Sequence, residues 1–172
     1  MGKIRIGVLG FGFIGTIHAK AAENCPDTEL MGVWTQPDQT LDNLKRMFPT
    51  RKHYESPEAM AADPDVDAVV IGLPNSLHLP MGKLMFESGK HVLMEKPMAM
   101  NVQEANELIE AARKADRRLM VGHMWRFDRE AVELRALLDK EEFGEVFKTK
   151  SYGIHQNWGQ AGWFSHSEIA GG

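Results

Sequence analysis

The sequence has little cysteine, no long apolar run and little net charge. Cys25 is the only cysteine among 172 residues, which excludes an internal disulfide and a cysteine-rich metal cluster. No segment approaches the roughly 20 apolar residues of a membrane helix, and a strand pattern that begins at Lys3 leaves no room for a signal peptide. A net charge of −4 gives no reason to expect binding to nucleic acid or anionic lipid. We therefore expect a cytoplasmic protein without nucleic-acid or membrane partners.

Short apolar segments alternate with helical patterns along the first two thirds of the chain. Strands are predicted over residues 4–9, 29–34, 68–72, 91–94 and 119–121. Helices are predicted between them, over residues 14–23, 41–48, 77–88 and 101–114, with a further short helix that begins after Ser56. This order predicts an α/β fold with a doubly wound parallel sheet of the Rossmann type over residues 1–122.

The pattern changes after about residue 122. Residues 127–139 have helical spacing, residues 145–152 alternate like a strand, and residues 153–172 are rich in glycine and aromatics. Because this region is too short to close a core of its own, we predict that residues 123–172 begin an incomplete α+β second domain.

A glycine-rich turn follows the first predicted strand and opens the first predicted helix. Residues 10–15 read G-F-G-F-I-G, with the spacing G-x-G-x-x-G of dinucleotide-binding turns. The first glycine makes the tight turn, the second lets the backbone approach a pyrophosphate, and the third lets helix and strand pack closely. The helix N-terminus then attracts phosphate charge. The predicted cofactor contacts here are Gly10, Gly12, Phe13, Ile14 and Gly15.

The residue that selects between NAD and NADP is expected at the end of the second strand, where Thr35 stands. An acidic residue at this position would bind the ribose 2′-hydroxyl of NAD. The neutral Thr35 does not repel a 2′-phosphate, but no arginine follows to bind one, and Asp38 could still reach the ribose. Lys45 and Arg46 are further candidates to bind a phosphate. Both cofactors stay open, and Thr35 slightly favours NADP.

Three further segments carry a family resemblance. They are Pro74-Asn75-Ser76-Leu77-His78, the segment that ends in Glu95-Lys96-Pro97, and Val121-Gly122-His123-Met124-Trp125-Arg126-Phe127. With the glycine turn and His18, in this order and spacing, they resemble the glucose–fructose oxidoreductase/inositol dehydrogenase (Gfo/Idh/MocA) family. The resemblance covers essentially the whole chain, and Glu95-Lys96-Pro97 is its most specific motif.

The resemblance implies roles for several of these residues. Pro74, Asn75 and His78 match a stretch that borders the nicotinamide half of the cofactor, and Arg126 matches a position that often helps to hold it. For His78, simple helix capping is an equally good interpretation.

In the family, the lysine that matches Lys96 sits at the reacting carbon, before a proline bond that is commonly cis. Removal of a hydroxyl proton as hydride leaves requires a base, which makes Lys96 the catalytic candidate. The alternative is a surface lysine paired with Glu95. Glu95 is expected to orient Lys96 or to contact the cofactor, rather than to act as an acid.

The remaining histidines are assigned by position. His18, in the first helix, is predicted to have a packing role, and His123 is a candidate substrate contact. His53, His91, His155 and His166 show no metal-ligand spacing, so no metal site is predicted.

The resemblance implies an NAD(P)-dependent oxidoreductase, or its cofactor-binding half, acting on a hydroxyl carbon of a sugar or cyclitol. Family members continue past the position of Gly172 into a stretch with an aspartate and a histidine, then a sheet that forms the substrate wall and usually a homo-oligomer interface. We therefore expect this chain to bind dinucleotide and a polyol but to turn over poorly. Two alternatives are a non-catalytic dinucleotide sensor, against which the retained Lys96 argues, and an assembly fragment that binds no dinucleotide.

Overall fold

The structure, a computed structural model, describes residues 2–36, 40–153 and 165–171. The strands are β1 Ile4–Leu9, β2 Thr28–Trp34, β3 Lys52–His53, β4 Ala68–Ile71, β5 His91–Met94 and β6 Leu119–Val121. The helices are α1 Phe13–Asn24, α2 Thr40–Met47, α3 Pro57–Ala62, α4 His78–Glu87, α5 Val102–Lys114, α6 Arg129–Asp139 and α7 Ser167–Ala170. Short 3₁₀ turns at Asn75–Leu77 and Met124–Phe127 lead into α4 and towards α6.

The six strands form one parallel sheet in the order β3-β2-β1-β4-β5-β6. The chain moves from β1 outwards to β3, returns to β4 beside β1, and then moves outwards in the other direction. This reversal creates a crevice between the ends of β1 and β4, where doubly wound sheets bind ligands. The predicted Rossmann-type sheet is confirmed.

Alternate strand residues pack on opposite faces of the sheet. Val8 and Val70 join one core cluster, whereas Leu9 and Ile71 join the other. The first cluster includes buried residues of α1 and α2, and the second includes buried residues of α3, α4 and α5. The near-continuous apolar character of β1 and β4 follows from this, because a strand covered on both faces has no solvent side.

The helix ends follow local signals in the sequence. The Ser56 side chain accepts a hydrogen bond from the main-chain N–H of Ala59, and Asn101 does the same for Glu104 at the start of α5. Gly89 follows α4 with a φ of +75°, a conformation that glycine adopts without strain. These signals explain why the predicted and observed boundaries of α3, α4 and α5 agree closely.

The predicted strand over residues 145–152 is wrong. These residues have no regular secondary structure and are exposed. An alternating pattern forms a strand only beside a partner, and β6 pairs with β5 alone among the described residues. The division at residue 122 stays a prediction. Within the described ranges, no helix has the length and apolar character needed to cross a membrane.

A polar network lies around Asp63, after α3. Its carboxylate accepts hydrogen bonds from Lys52 Nζ at 2.6 Å, from Tyr54 Oη at 2.8 Å and from the main-chain N–H of Asp65 at 2.8 Å. The hydrogen bond from Lys52 is the main reason why the pKa of Asp63 is lowered to about 2. Burial opposes this shift, and the bonds from Asp65 and Tyr54 add to it.

This network predicts an acid-sensitive contribution to stability. A carboxyl whose pKa is lower in the folded state stabilises fully above its unfolded pKa of about 4, and loses that contribution as the pH falls through about 2. We therefore expect Asp63→Asn to lower the free energy of unfolding near neutral pH and to flatten its decline between about pH 4 and 2. Urea unfolding at several pH values measures this, with Asp65→Asn as the control. Parallel acid profiles for wild type and Asp63→Asn would contradict the assignment.

Candidate active site

Four residues directly after strands line the carboxyl edge of the sheet. Gly10, Gly72, Glu95 and Gly122 follow β1, β4, β5 and β6. Their main-chain N–H groups donate to Trp34, Leu9, Ile71 and Met94 respectively, over 2.8 to 3.0 Å. These bonds extend the strand ladders by one residue. Because the strands are parallel, the loops that follow them all leave the sheet at the same edge.

The three glycines of the first loop have different surroundings. Gly10 has a φ of +97°, and a methyl group on it would overlap the carbonyl oxygen of Gly72. A methyl group on Gly15 would overlap the carbonyl oxygen of Gly10. By contrast, a methyl group on Gly12 would meet no atom within 4 Å. Packing within the chain thus requires Gly10 and Gly15, whereas Gly12 leaves an open cradle, which is the arrangement that fits a pyrophosphate.

The start of α1 completes this cradle. Gly12 is the N-cap residue and provides no side-chain cap, and the first turn carries no acidic residue. No carboxylate of that turn therefore competes with a bound anion for the positive end of the helix. Phe13 is largely exposed, whereas Ile14 is half-buried and lies against Gly72.

Thr35 lies beside the glycine turn. It follows β2 directly, and the carbonyl oxygen of the preceding Trp34 accepts the hydrogen bond from Gly10. Its side chain is half-buried. Asp38, the other candidate for the ribose, falls outside the described residues.

The segment after β4 carries Pro74, Asn75 and His78. Asn75 is buried, and its side-chain amide donates to the carbonyl oxygen of Ala170 in α7 at 2.6 Å. His78 is fully buried; its Nδ1 lies 2.8 Å from the carbonyl oxygen of Pro97 and its Nε2 lies 3.0 Å from that of Leu73. His78 thus connects the loop after β4 to the loop after β5. Pro74 is half-buried and belongs to the loop after β4, which borders the crevice between the ends of β1 and β4. The cofactor contacts predicted for these residues stay predictions.

The segment after β5 presents Lys96 and buries Glu95. Glu95 Oε1 lies 2.8 Å from His18 Nε2, and its Oε2 accepts a hydrogen bond from the main-chain N–H of Lys96 at 3.0 Å. The Lys96 side chain is exposed, and its Nζ has no hydrogen-bond or ion-pair partner among the described residues. The Lys96–Pro97 peptide bond is cis, as the resemblance implies. The alternative interpretation of Lys96, a surface ion pair with Glu95, does not fit, because Glu95 contacts Lys96 through the main chain.

His123 and Arg126 lie after β6. Both are exposed, and the main-chain N–H of Arg126 donates to the carbonyl oxygen of His123 at 3.0 Å. Among the described residues, neither side chain has a hydrogen bond or an ion pair with the glycine turn or with Lys96. Of the sequence-predicted site residues, these two are therefore the least connected to the rest.

Two connections of this edge have no local sequence signal. The Asn75–Ala170 bond joins residues 95 positions apart, and the His18–Glu95 contact joins residues 77 positions apart. His18 was expected only to pack, and the contact with Glu95 adds a polar role. In the part of the chain that the structure describes, no three or more His, Cys, Asp or Glu side chains form a group that could hold a metal ion.

Comparison with known proteins identifies similar chains. An oxidoreductase family with an NAD-binding Rossmann fold, Gfo/Idh/MocA, matches residues 4–123. The oxidoreductase YdgJ of Escherichia coli K12 is 35% identical over 151 residues, which are 87% of this chain and 43% of that protein. Myo-inositol 2-dehydrogenase of Thermotoga maritima is 32% identical over 142 residues, 83% of this chain and 42% of that enzyme. The chain therefore spans less than half the length of these relatives.

A solved structure of an inositol dehydrogenase is also similar to this chain. Scyllo-inositol dehydrogenase of Lactobacillus casei, crystallised with NAD(H) and scyllo-inositol, superimposes with a TM-score of 0.77 at 27% identity. The match covers 83% of this chain and 43% of that one. The family description and this complex both refer to NAD, and none of these matches supports the preference for NADP that Thr35 suggested.

Proposed function

Because the chain belongs to the Gfo/Idh/MocA oxidoreductase family, we propose that it binds NAD and takes part in hydride transfer at a hydroxyl carbon of a cyclitol or sugar. The observation that carries the proposal is the order of the candidate residues along the carboxyl edge. Thr35 follows β2, the glycine turn follows β1, Pro74 comes after β4 and Lys96 after β5. Three strand spacings, about 14 Å, separate β2 from β5.

This order corresponds to the parts of an extended dinucleotide laid across the strand ends. Thr35 is assigned to the adenosine ribose and Gly10, Gly12, Phe13, Ile14 and Gly15 to the pyrophosphate. The nicotinamide half is assigned to Pro74, Asn75 and Lys96, and to His78 and Glu95 through the loops that these two buried side chains hold in place, with Arg126 as a further cofactor contact. The open cradle at Gly12 supports the pyrophosphate position, since packing within the chain does not require a glycine there.

Lys96 is proposed as the proton acceptor. When bound, NAD supplies the ring that accepts hydride from the carbinol carbon. The hydroxyl proton of that carbon passes to the neutral amine form of Lys96, whose Nζ is exposed at this edge and engaged by no described side chain. Glu95 does not compete for this proton, because its carboxylate is buried against His18 and the main chain of Lys96. His123 is proposed as a substrate contact, because it follows β6, the strand next to β5.

The relatives named above support a cyclitol as the substrate class, because two of them are inositol dehydrogenases. Residues 123–172 are proposed as the start of a substrate and oligomerisation domain. Their exposed apolar side chains, which include Trp125 and Phe127, support this division.

The direct test follows the appearance of NADH after NAD is mixed with the chain and either myo-inositol or scyllo-inositol. We expect NADH to form with at least one isomer, at least in a single turnover, and not with Gly12→Val. NADH binding without hydride transfer from either isomer to NAD would contradict the enzyme assignment for this chain and favour a dinucleotide sensor. Absence of NADH binding would contradict the whole proposal.

A further inference from the structure

Glu95 is buried at the carboxyl edge, where His18, the main chain of Lys96 and Gly122 surround its carboxylate. One carboxylate oxygen lies 2.8 Å from His18 Nε2 of α1, and the other accepts the main-chain N–H of Lys96 at 3.0 Å. The third neighbour is Gly122, after β6, because a methyl group added to it would lie 3.0 Å from Oε1 and 3.3 Å from the carboxyl carbon. While His18 is in place, these neighbours leave the carboxylate little room to change its orientation.

A buried carboxylate is stable only if hydrogen-bond donors replace the water that it loses. The side chain of Glu95 is 11% exposed and that of His18 is 20% exposed. The described partners of Glu95 are His18 and the main chain of Lys96. Without the imidazole, one oxygen would have to turn towards solvent or another donor, and the bond to Lys96 would be lost or weakened by the same movement.

His18 lies one helical turn after Gly15. The same helix therefore presents its N-terminus to the proposed pyrophosphate position and its His18 side chain to Glu95. We propose that His18 is a positioning residue: through the Glu95 carboxylate it fixes the main chain of Lys96, and hence the direction from which the Lys96 side chain reaches the substrate. This inference rests on the proposed function for the role of Lys96.

A purely structural role for the contact predicts something different. If His18 and Glu95 only hold α1 against the sheet, then loss of the contact lowers stability and leaves the hydrogen bond of Lys96 unchanged. The amide proton of Lys96 distinguishes the two roles, because a hydrogen bond to a carboxylate shifts its NMR signal downfield and slows its exchange with solvent.

The experiment measures the Lys96 amide signal and its hydrogen exchange in four variants of the chain. In His18→Leu we expect the Lys96 amide signal to shift upfield and its hydrogen exchange to become at least about tenfold faster than in the wild type. His18→Gln, whose amide can replace Nε2 as a donor, should restore the wild-type signal. Glu23→Gln is the matched control, because it breaks the α1 ion pair with Arg51 on the part of the helix remote from Lys96. Gly122→Ala crowds Oε1, the same Glu95 oxygen that contacts His18, and should change the same signal in the same direction.

An unchanged Lys96 amide in both His18→Leu and Gly122→Ala would overturn the inference. The inference would also be overturned if Glu23→Gln changed the Lys96 amide signal as much as His18→Leu does. A parallel titration with NADH distinguishes failure of the positioning role from failure of the proposed function. Absence of NADH binding by the wild-type chain would contradict the proposed function, whereas a changed Lys96 amide signal with intact NADH binding in His18→Leu supports the positioning role.

Discussion

The chain with Gly12→Val is expected to lose NADH binding while it keeps its fold. The backbone at Gly12 has a φ of −74° and a ψ of −160°, which other residues adopt, and a side chain there meets nothing within 4 Å. The melting temperature should therefore change little. The valine side chain would occupy the space of the pyrophosphate and remove its hydrogen bonds to the helix N-terminus. Each such charge-assisted bond contributes about 1.5–3 kcal/mol, so loss of two weakens binding about a hundredfold or more.

Gly15→Ala is the matched control for this prediction. Its methyl group would overlap the carbonyl oxygen of Gly10, so the turn cannot close without a shift of the backbone. We expect a clear fall in melting temperature for Gly15→Ala and almost none for Gly12→Val, measured by circular dichroism beside a fluorescence titration with NADH. Wild-type affinity in Gly12→Val would show that the pyrophosphate does not lie at this turn.

Lys96→Ala is expected to slow hydride transfer by about 10²–10⁴-fold, the usual contribution of a general base. NADH affinity should change by less than about tenfold, because the phosphate-binding turn is untouched. Single-turnover formation of NADH in the presence of an inositol isomer measures the first quantity, and a fluorescence titration measures the second. Lys96→Arg should not restore the rate, because arginine remains protonated.

Lys83→Ala is the control for the loss of a lysine side chain. Lys83 lies on α4 and pairs with Glu107 at 3.3 Å, away from the carboxyl edge of the sheet. Its rate and affinity should match those of the wild type. A rate for Lys96→Ala within a fewfold of the wild type would exclude Lys96 as the proton acceptor.

Most of the sheet could be predicted because its signals are local. The apolar runs of β1 and β4, the N-caps at Ser56 and Asn101 and the glycine after α4 each act within a few residues. Strand β3 could not be predicted, because two residues, Lys52–His53, carry no periodic pattern and are strands only by pairing with β2. The strand prediction for residues 145–152 is wrong for the opposite reason, since these residues have an alternating pattern but no partner strand among the described residues.

The residues of the candidate site could be predicted from the sequence, but several of the contacts between them could not. The positions of Gly12 and Lys96 after their strands follow from the motifs and the parallel sheet. The contacts of His18 and Asn75 could not be predicted, because each joins segments that come together only when the sheet forms. The burial of His78 is a similar case, since its two carbonyl partners belong to loops after different strands.

The most direct test of the central claim is a titration of the chain with NADH and NADPH, followed by nicotinamide fluorescence. We expect saturable binding of one dinucleotide per chain, with NADH bound more tightly than NADPH, and competition by ADP-ribose. Tighter binding of NADPH would indicate that the neutral Thr35 favours NADP over NAD, and it would still support a dinucleotide site at this turn. No saturable binding of either dinucleotide would contradict the claim that the turn between β1 and α1 is a cofactor site.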